Sequence, residues 1–149
     1  RNPIDRAYSQ YHRAIKDNTE SREFGDIIDE EIKRLGLMEE DFFQIKRDES
    51  NYIKKGLYYD QLKSWYNIFP KENIGIFSTE DFKTDSKKIY NKIFNFLNLP
   101  SITIKNNTMM EKGNYLPMEK EVRSKLLNFY KEHNERFFKL IEKRFEWDT

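Results

Sequence analysis

Cysteine is absent from the 149 residues, which excludes a disulfide framework and a thiolate metal site, and His12 and His133 are the only imidazoles. Charge of one sign is also missing: 27 basic side chains stand against 26 acidic ones, so nothing argues for broad adhesion to nucleic acid or to a membrane surface. No apolar run approaches the roughly 20 residues needed to span a bilayer. With only five glycines, the chain holds no Gly-rich loop ending in Lys-Ser/Thr, the mark of a phosphoryl-transfer enzyme.

What is present reads mostly as helix. In "RNPIDRAYSQYHR", Pro3 suits the first helical position, and Ile4, Ala7, Tyr8, Tyr11 and Ala14 recur at steps of three and four, predicting a helix from residue 3 to about 16. Arg1 then stands just ahead of the helix N-terminus, a favourable place for an anion. Phe24, Ile27, Ile28, Ile32 and Leu35 predict a second helix closed by Gly36. The charged stretch from Met38 to Asn51 reads as a surface loop, and Tyr59, Leu62, Trp65, Tyr66 and Phe69 predict one apolar stripe on a third helix ended by Pro70. Asp85 or Ser86 caps a further helix carrying Ile89, Ile93, Phe96 and Leu97, stopped at Pro100. Residues 101–119 read as a long loop. Glu119 to Phe145 predicts one long helix, or two with a break near His133.

One segment changes the period. Ile74, Ile76 and Phe77 form a short apolar run suited to a buried strand over 73–78. A lone buried strand leaves N–H and C=O groups unpaired on both edges, so a partner strand is expected immediately before Arg1. Strand, "RNP" turn and helix then form a βα unit in a parallel sheet, with ligand at the strand's carboxyl end.

Three blocks in order, "RNPIDRAYSQY", "KKGLYYDQLKSWYNIFPKENIGIFSTEDF" and "IYNKIFNFLNLP", resemble the second half of sulfotransferases that use 3′-phosphoadenosine 5′-phosphosulfate (PAPS). "EKGNYLPM" and "RSKLLNFYKEHNERFFKLI" resemble, more loosely, the cofactor-covering loop and closing helices of carbohydrate-type and bacterial members. The resemblance implies an α/β fold, a P-loop-kinase-like parallel sheet flanked by helices, of which this chain holds the mostly helical part. It implies that residues 1–149 are the C-terminal portion of a single sulfotransferase domain, with the 5′-phosphosulfate loop and the acceptor-activating base in an upstream half. It also implies a PAPS donor without a metal, a small-molecule or carbohydrate acceptor, and, by analogy with bacterial members, a cytoplasmic location.

The same resemblance assigns residues. Arg1 and Ser9, eight residues apart, match the family's arginine and serine that bind the 3′-phosphate of the nucleotide. A guanidinium offers a planar fork of donors to phosphate oxygens, and a hydroxyl adds a neutral one. Lys112 and Gly113 match a Lys-Gly pair that approaches the same phosphate, although Asn114 and Tyr115 follow where the family usually carries another basic residue. Tyr58 matches the start of the helix beside the acceptor cleft, and a tyrosine at a helix start is equally at home in packing. His12 receives no catalytic role, and no general base is assigned. A non-catalytic helical binding module is the alternative reading; it leaves the order of the blocks unexplained.

Overall fold

In a computed structural model, residues 1–36, 51–100 and 113–147 are described, and among them every regular element is helical. The helices are α1 (Pro3–Lys16), α2 (Phe24–Gly36), α3 (Tyr58–Tyr66), α4 (Thr79–Thr84), α5 (Ser86–Phe96) and α6 (Lys120–Ile141), with short 3₁₀ turns at Lys54–Gly56 and Lys71–Asn73. The chain divides into two compact units, one of residues 2–64 with 113–147, the other of Arg1 with 65–100 among the described residues.

The larger unit owes its core to matched helical stripes. Ile4, Ala7 and Tyr11 of α1, Phe24, Ile27 and Ile28 of α2, and Val122, Leu126 and Tyr130 of α6 are buried together with Tyr52, Ile53 and Leu57. Removal of these apolar faces from water is the main term favouring the arrangement. Polar links fix its register: Arg123 Nη1 donates to Asp5 at 3.0 Å, and Lys125 pairs with Asp29. Helix α6 runs unbroken through His133 to Ile141, settling the choice between one helix and two. Glu142 then takes a left-handed conformation with φ 52°, and the chain turns so that Phe145 and Trp147 are buried against Phe137 and Phe138.

In the smaller unit, Ser78 caps α4 by accepting the Asp81 N–H at 2.9 Å, and Asp85 caps α5 by accepting the Lys88 N–H at 3.0 Å. Phe82 packs edge-on to Tyr90, and Phe77 edge-on to Phe96.

The structure bears differently on two expectations about form. The strand expected over 73–78 has no partner among the described residues: Ile74 and Ser78 have extended backbone, no ladder joins them to another segment there, and Ile74, Ile76 and Phe77 are half-buried. A strand is defined by the pairing of its N–H and C=O groups, and the described residues offer no second edge. Helix α3 stops at Tyr66 rather than at Pro70, and its expected stripe buries no residue, with Trp65 57% exposed. The Met38–Asn51 loop lies, but for Asn51, outside the described residues, as does most of the 101–119 loop.

Candidate functional site

The head of α1 is built for rigidity. Asn2 is the N-cap, its Oδ1 accepting the Ile4 N–H at 2.9 Å, and Pro3 occupies the first turn without needing a hydrogen-bond partner for its nitrogen. Arg1 directly precedes this cap and is half-buried. Ser9 lies two turns further along α1 and is also half-buried.

Against this helix packs the 3₁₀ turn Lys54–Gly56, and its backbone is tied down from three sides. Arg6 donates to the Tyr52 carbonyl, Tyr130 donates its hydroxyl proton to the Ile53 carbonyl at 2.7 Å, and Glu31 Oε1 accepts the N–H groups of Ile53 and Lys54, each at 2.9 Å. Gly56 has to be glycine here, because a Cβ would lie 2.5 Å from the Tyr130 hydroxyl and 2.8 Å from Pro3 Cβ. Sequence-level reasoning missed Glu31, whose only signal was a charge on the inward side of α2. It is 2% exposed, and burial raises its pKa against the opposing pull of the backbone N–H groups. Burial also pushes the Tyr130 hydroxyl pKa up and lowers that of Lys54.

Tyr115 and Leu116 meet another face of α1. The Tyr115 ring stacks on His12 with centroids 4.1 Å apart and planes 7° from parallel, and meets Tyr8 edge-on at 5.4 Å. Tyr8 donates its hydroxyl proton to the Leu116 carbonyl at 3.1 Å. Gly113, the one member of the expected Lys-Gly pair within the described residues, is exposed; Lys112 lies outside them. Tyr115 is a second residue that the sequence reading passed over, treating it only as a departure from a basic pattern.

Tyr58 opens α3 with its ring packed on Phe137 at 5.6 Å and Trp147 at 5.7 Å. That setting gives it a packing role; any contact with an acceptor would fall to the part of its surface left exposed. Desolvation lowers the pKa of both His12 and His133, which favours neutral rings near pH 7. Among the described residues no group of three or more His, Asp or Glu side chains is placed to hold a metal ion, and no helix is long and apolar enough to cross a membrane.

The head of α1 is thus a capped helix N-terminus preceded in the chain by Arg1, with Ser9 two turns further along. Residues 1–144 match the Sulfotransferase domain family, and the chain belongs to it. It is 37% identical over 98 residues to carbohydrate sulfotransferase 15 from Nototodarus sloanii, covering 58% of this chain and 62% of that protein. It is 30% identical over 97 residues to the membrane-associated sulfotransferase kil1 of Dictyostelium discoideum, covering 65% of this chain and 21% of that protein. The chain therefore spans between about a fifth and three-fifths of the length of these curated relatives. A sulfotransferase from Alicyclobacillus acidocaldarius, solved by crystallography, superposes with a TM-score of 0.78 at 24% identity over 99% of this chain and 55% of that one, a likeness of fold. These matches favour neither the non-catalytic helical module nor a phosphoryl-transfer enzyme.

Proposed function

We propose that this chain supplies the 3′-phosphate side of the donor site of a PAPS-dependent sulfotransferase whose acceptor is a carbohydrate hydroxyl or amine. The observation that carries the reading is the family match over residues 1–144; Arg1, just ahead of the first helix, and Ser9, within it, are the residues that the resemblance assigns to the phosphate. The helices then flank a P-loop-kinase-like parallel sheet, in which residues 73–78 pair with strands that the described residues do not contain. The carbohydrate acceptor follows from the relatives named carbohydrate sulfotransferase.

In this reading the Arg1 guanidinium donates two parallel hydrogen bonds to the 3′-phosphate, and the Ser9 hydroxyl donates a third. Lys112 adds charge and the Gly113 N–H a backbone donor to the same phosphate. None of these groups touches the sulfur. Their contribution is to hold the nucleotide so that the sulfuryl group lies in line with the acceptor, converting an encounter into an oriented reaction. During transfer the bond from sulfur to the bridging phosphate oxygen breaks as the acceptor oxygen or nitrogen bonds to sulfur, and the acceptor proton leaves to a base. Negative charge grows on the bridging oxygen of the departing 3′,5′-adenosine bisphosphate. Tyr58 lines the acceptor side.

The test is transfer of radiolabelled sulfate from PAPS to desulfated glycosaminoglycan chains by the gene product that carries this chain. Label in the polysaccharide, lost in Arg1→Ala, is the expected result. Donor turnover absent from every polysaccharide and small hydroxylated acceptor offered, at saturating PAPS, contradicts the assignment.

A further inference from the structure

The sequence places Asn114 and Tyr115 where a second basic residue was expected beside the phosphate. Tyr115 is nevertheless the most heavily engaged side chain of its segment. Its ring lies face-on to His12 at 4.1 Å and edge-on to Tyr8 at 5.4 Å, while the Tyr8 hydroxyl holds the next carbonyl, that of Leu116, at 3.1 Å. Tyr8 and His12 sit four residues apart and so share a face of α1, and Ser9 is the i, i+3 neighbour of His12. His12 Nε2 is buried with no hydrogen-bond partner among the described residues, so at that atom the imidazole is held by ring contacts rather than by a hydrogen bond.

Gly113 belongs to the same construction. A Cβ there would lie 2.2 Å from Tyr115 Cε1 and 2.8 Å from Cδ1, closer than real atoms approach. The ring cannot easily swing aside, because His12 and Tyr8 fix two of its faces. Glycine at 113 is thus needed to let the backbone pass over the ring, whatever else it does for a ligand. The chain of contacts runs from the Gly113 backbone to the Tyr115 ring, to His12, and along one turn of α1 to Ser9.

We propose that Tyr115 is a positioning residue for the donor's 3′-phosphate: stacked on His12, it fixes the Gly113 backbone in register with Ser9, so that packing does the work that an extra positive charge would do elsewhere. The inference rests on the donor-site reading above. It concerns a residue that makes no contact with the reacting atoms, and its signature is discrimination between nucleotides rather than overall stability. A displaced Gly113 loses its share of the 3′-phosphate and nothing of the adenosine 5′-phosphate.

The experiment measures dissociation constants of 3′,5′-adenosine bisphosphate and of 5′-AMP by calorimetry on the gene product carrying this chain. Tyr115→Ala and Tyr115→Leu should weaken the bisphosphate roughly tenfold while 5′-AMP changes by less than about twofold, and Tyr115→Phe, which keeps the ring, should match the parent protein. Gly113→Ala should behave like Tyr115→Ala. Circular dichroism and melting of Tyr115→Leu establish that the fold is intact; should Tyr115→Ala not fold, Tyr115→Leu and Gly113→Ala carry the comparison. Unchanged discrimination in Tyr115→Leu, or a loss in Tyr115→Phe as large as in Tyr115→Leu, overturns the proposal. Ser9→Ala separates the two readings: if it also leaves discrimination unchanged, the donor site is misplaced, whereas a loss there with none in the Tyr115 variants sinks only the role of Tyr115.

Discussion

The two units of the chain spend their apolar residues differently. In residues 2–64 with 113–147, the stripes of α1, α2 and α6 face one another, and a contiguous set from Ile4 to Tyr130 is buried. In the unit of residues 65–100, Ile89 is the one hydrophobic residue fully buried among those described, while Trp65, Ile68, Phe69, Phe96, Leu97 and Leu99 are exposed, Ile68 by 73%. Both units show comparable helical periodicity in sequence. The difference lies in whether each stripe finds another to meet, which periodicity cannot reveal.

That contrast is best broken by truncating one apolar side chain in each unit. Leu126→Ala empties a site that is 0% exposed between three helices and should cost about 2–5 kcal/mol of unfolding free energy. Leu97→Ala, at a position 53% exposed, should stay within about 0.5 kcal/mol. Equal costs, read from denaturant midpoints at unchanged slope, would mean that the exposed stripe is covered in the working protein.

A smaller effect sharpens the picture inside the well-packed unit. Glu20 bonds the Arg22 guanidinium and the N–H groups of Ser21 and Arg22, and the guanidinium above all holds its carboxyl down to about 2. Its stabilising contribution is complete above the ordinary carboxylate range near pH 4.3 and is lost as pH falls towards about 2. Glu31 acts in the opposite sense, since burial raises its pKa: its charge opposes folding at neutral pH, and that cost fades as acid protonates it. Melting temperatures between about pH 6 and 2.5 should therefore show a flatter acid limb in Glu20→Gln and a steeper one in Glu31→Gln. Changes of the same sign in both variants would contradict these assignments.

Legibility from sequence followed the range of the forces involved. Helix α1 was legible to within a residue, because Pro3 and the stripe through Ala14 are local signals. The start of α2 at Phe24 coincides with the first residue of its apolar pattern, and just ahead of it Glu20 accepts the N–H groups of Ser21 and Arg22. Helix α4 was hidden by its shortness, although Ser78 and Asp81 form a capping pair. The strand expected over 73–78 finds no partner among the described residues, since pairing is a non-local property that periodicity does not reveal. At the site, Arg1 and Ser9 were accessible through resemblance alone. Glu31 and Tyr115 were not, since each acts through residues distant in sequence, on Ile53 and Lys54 in one case and on Tyr8 and His12 in the other.

The central claim is that the head of α1 holds the 3′-phosphate of a sulfuryl donor, and calorimetric titration with 3′,5′-adenosine bisphosphate tests it most directly. On the gene product carrying this chain, Arg1→Ala should weaken binding by roughly 2–4 kcal/mol through loss of a charge-assisted, partly desolvated contact, and Ser9→Ala by about 1 kcal/mol. Affinity unchanged in both variants would contradict the account.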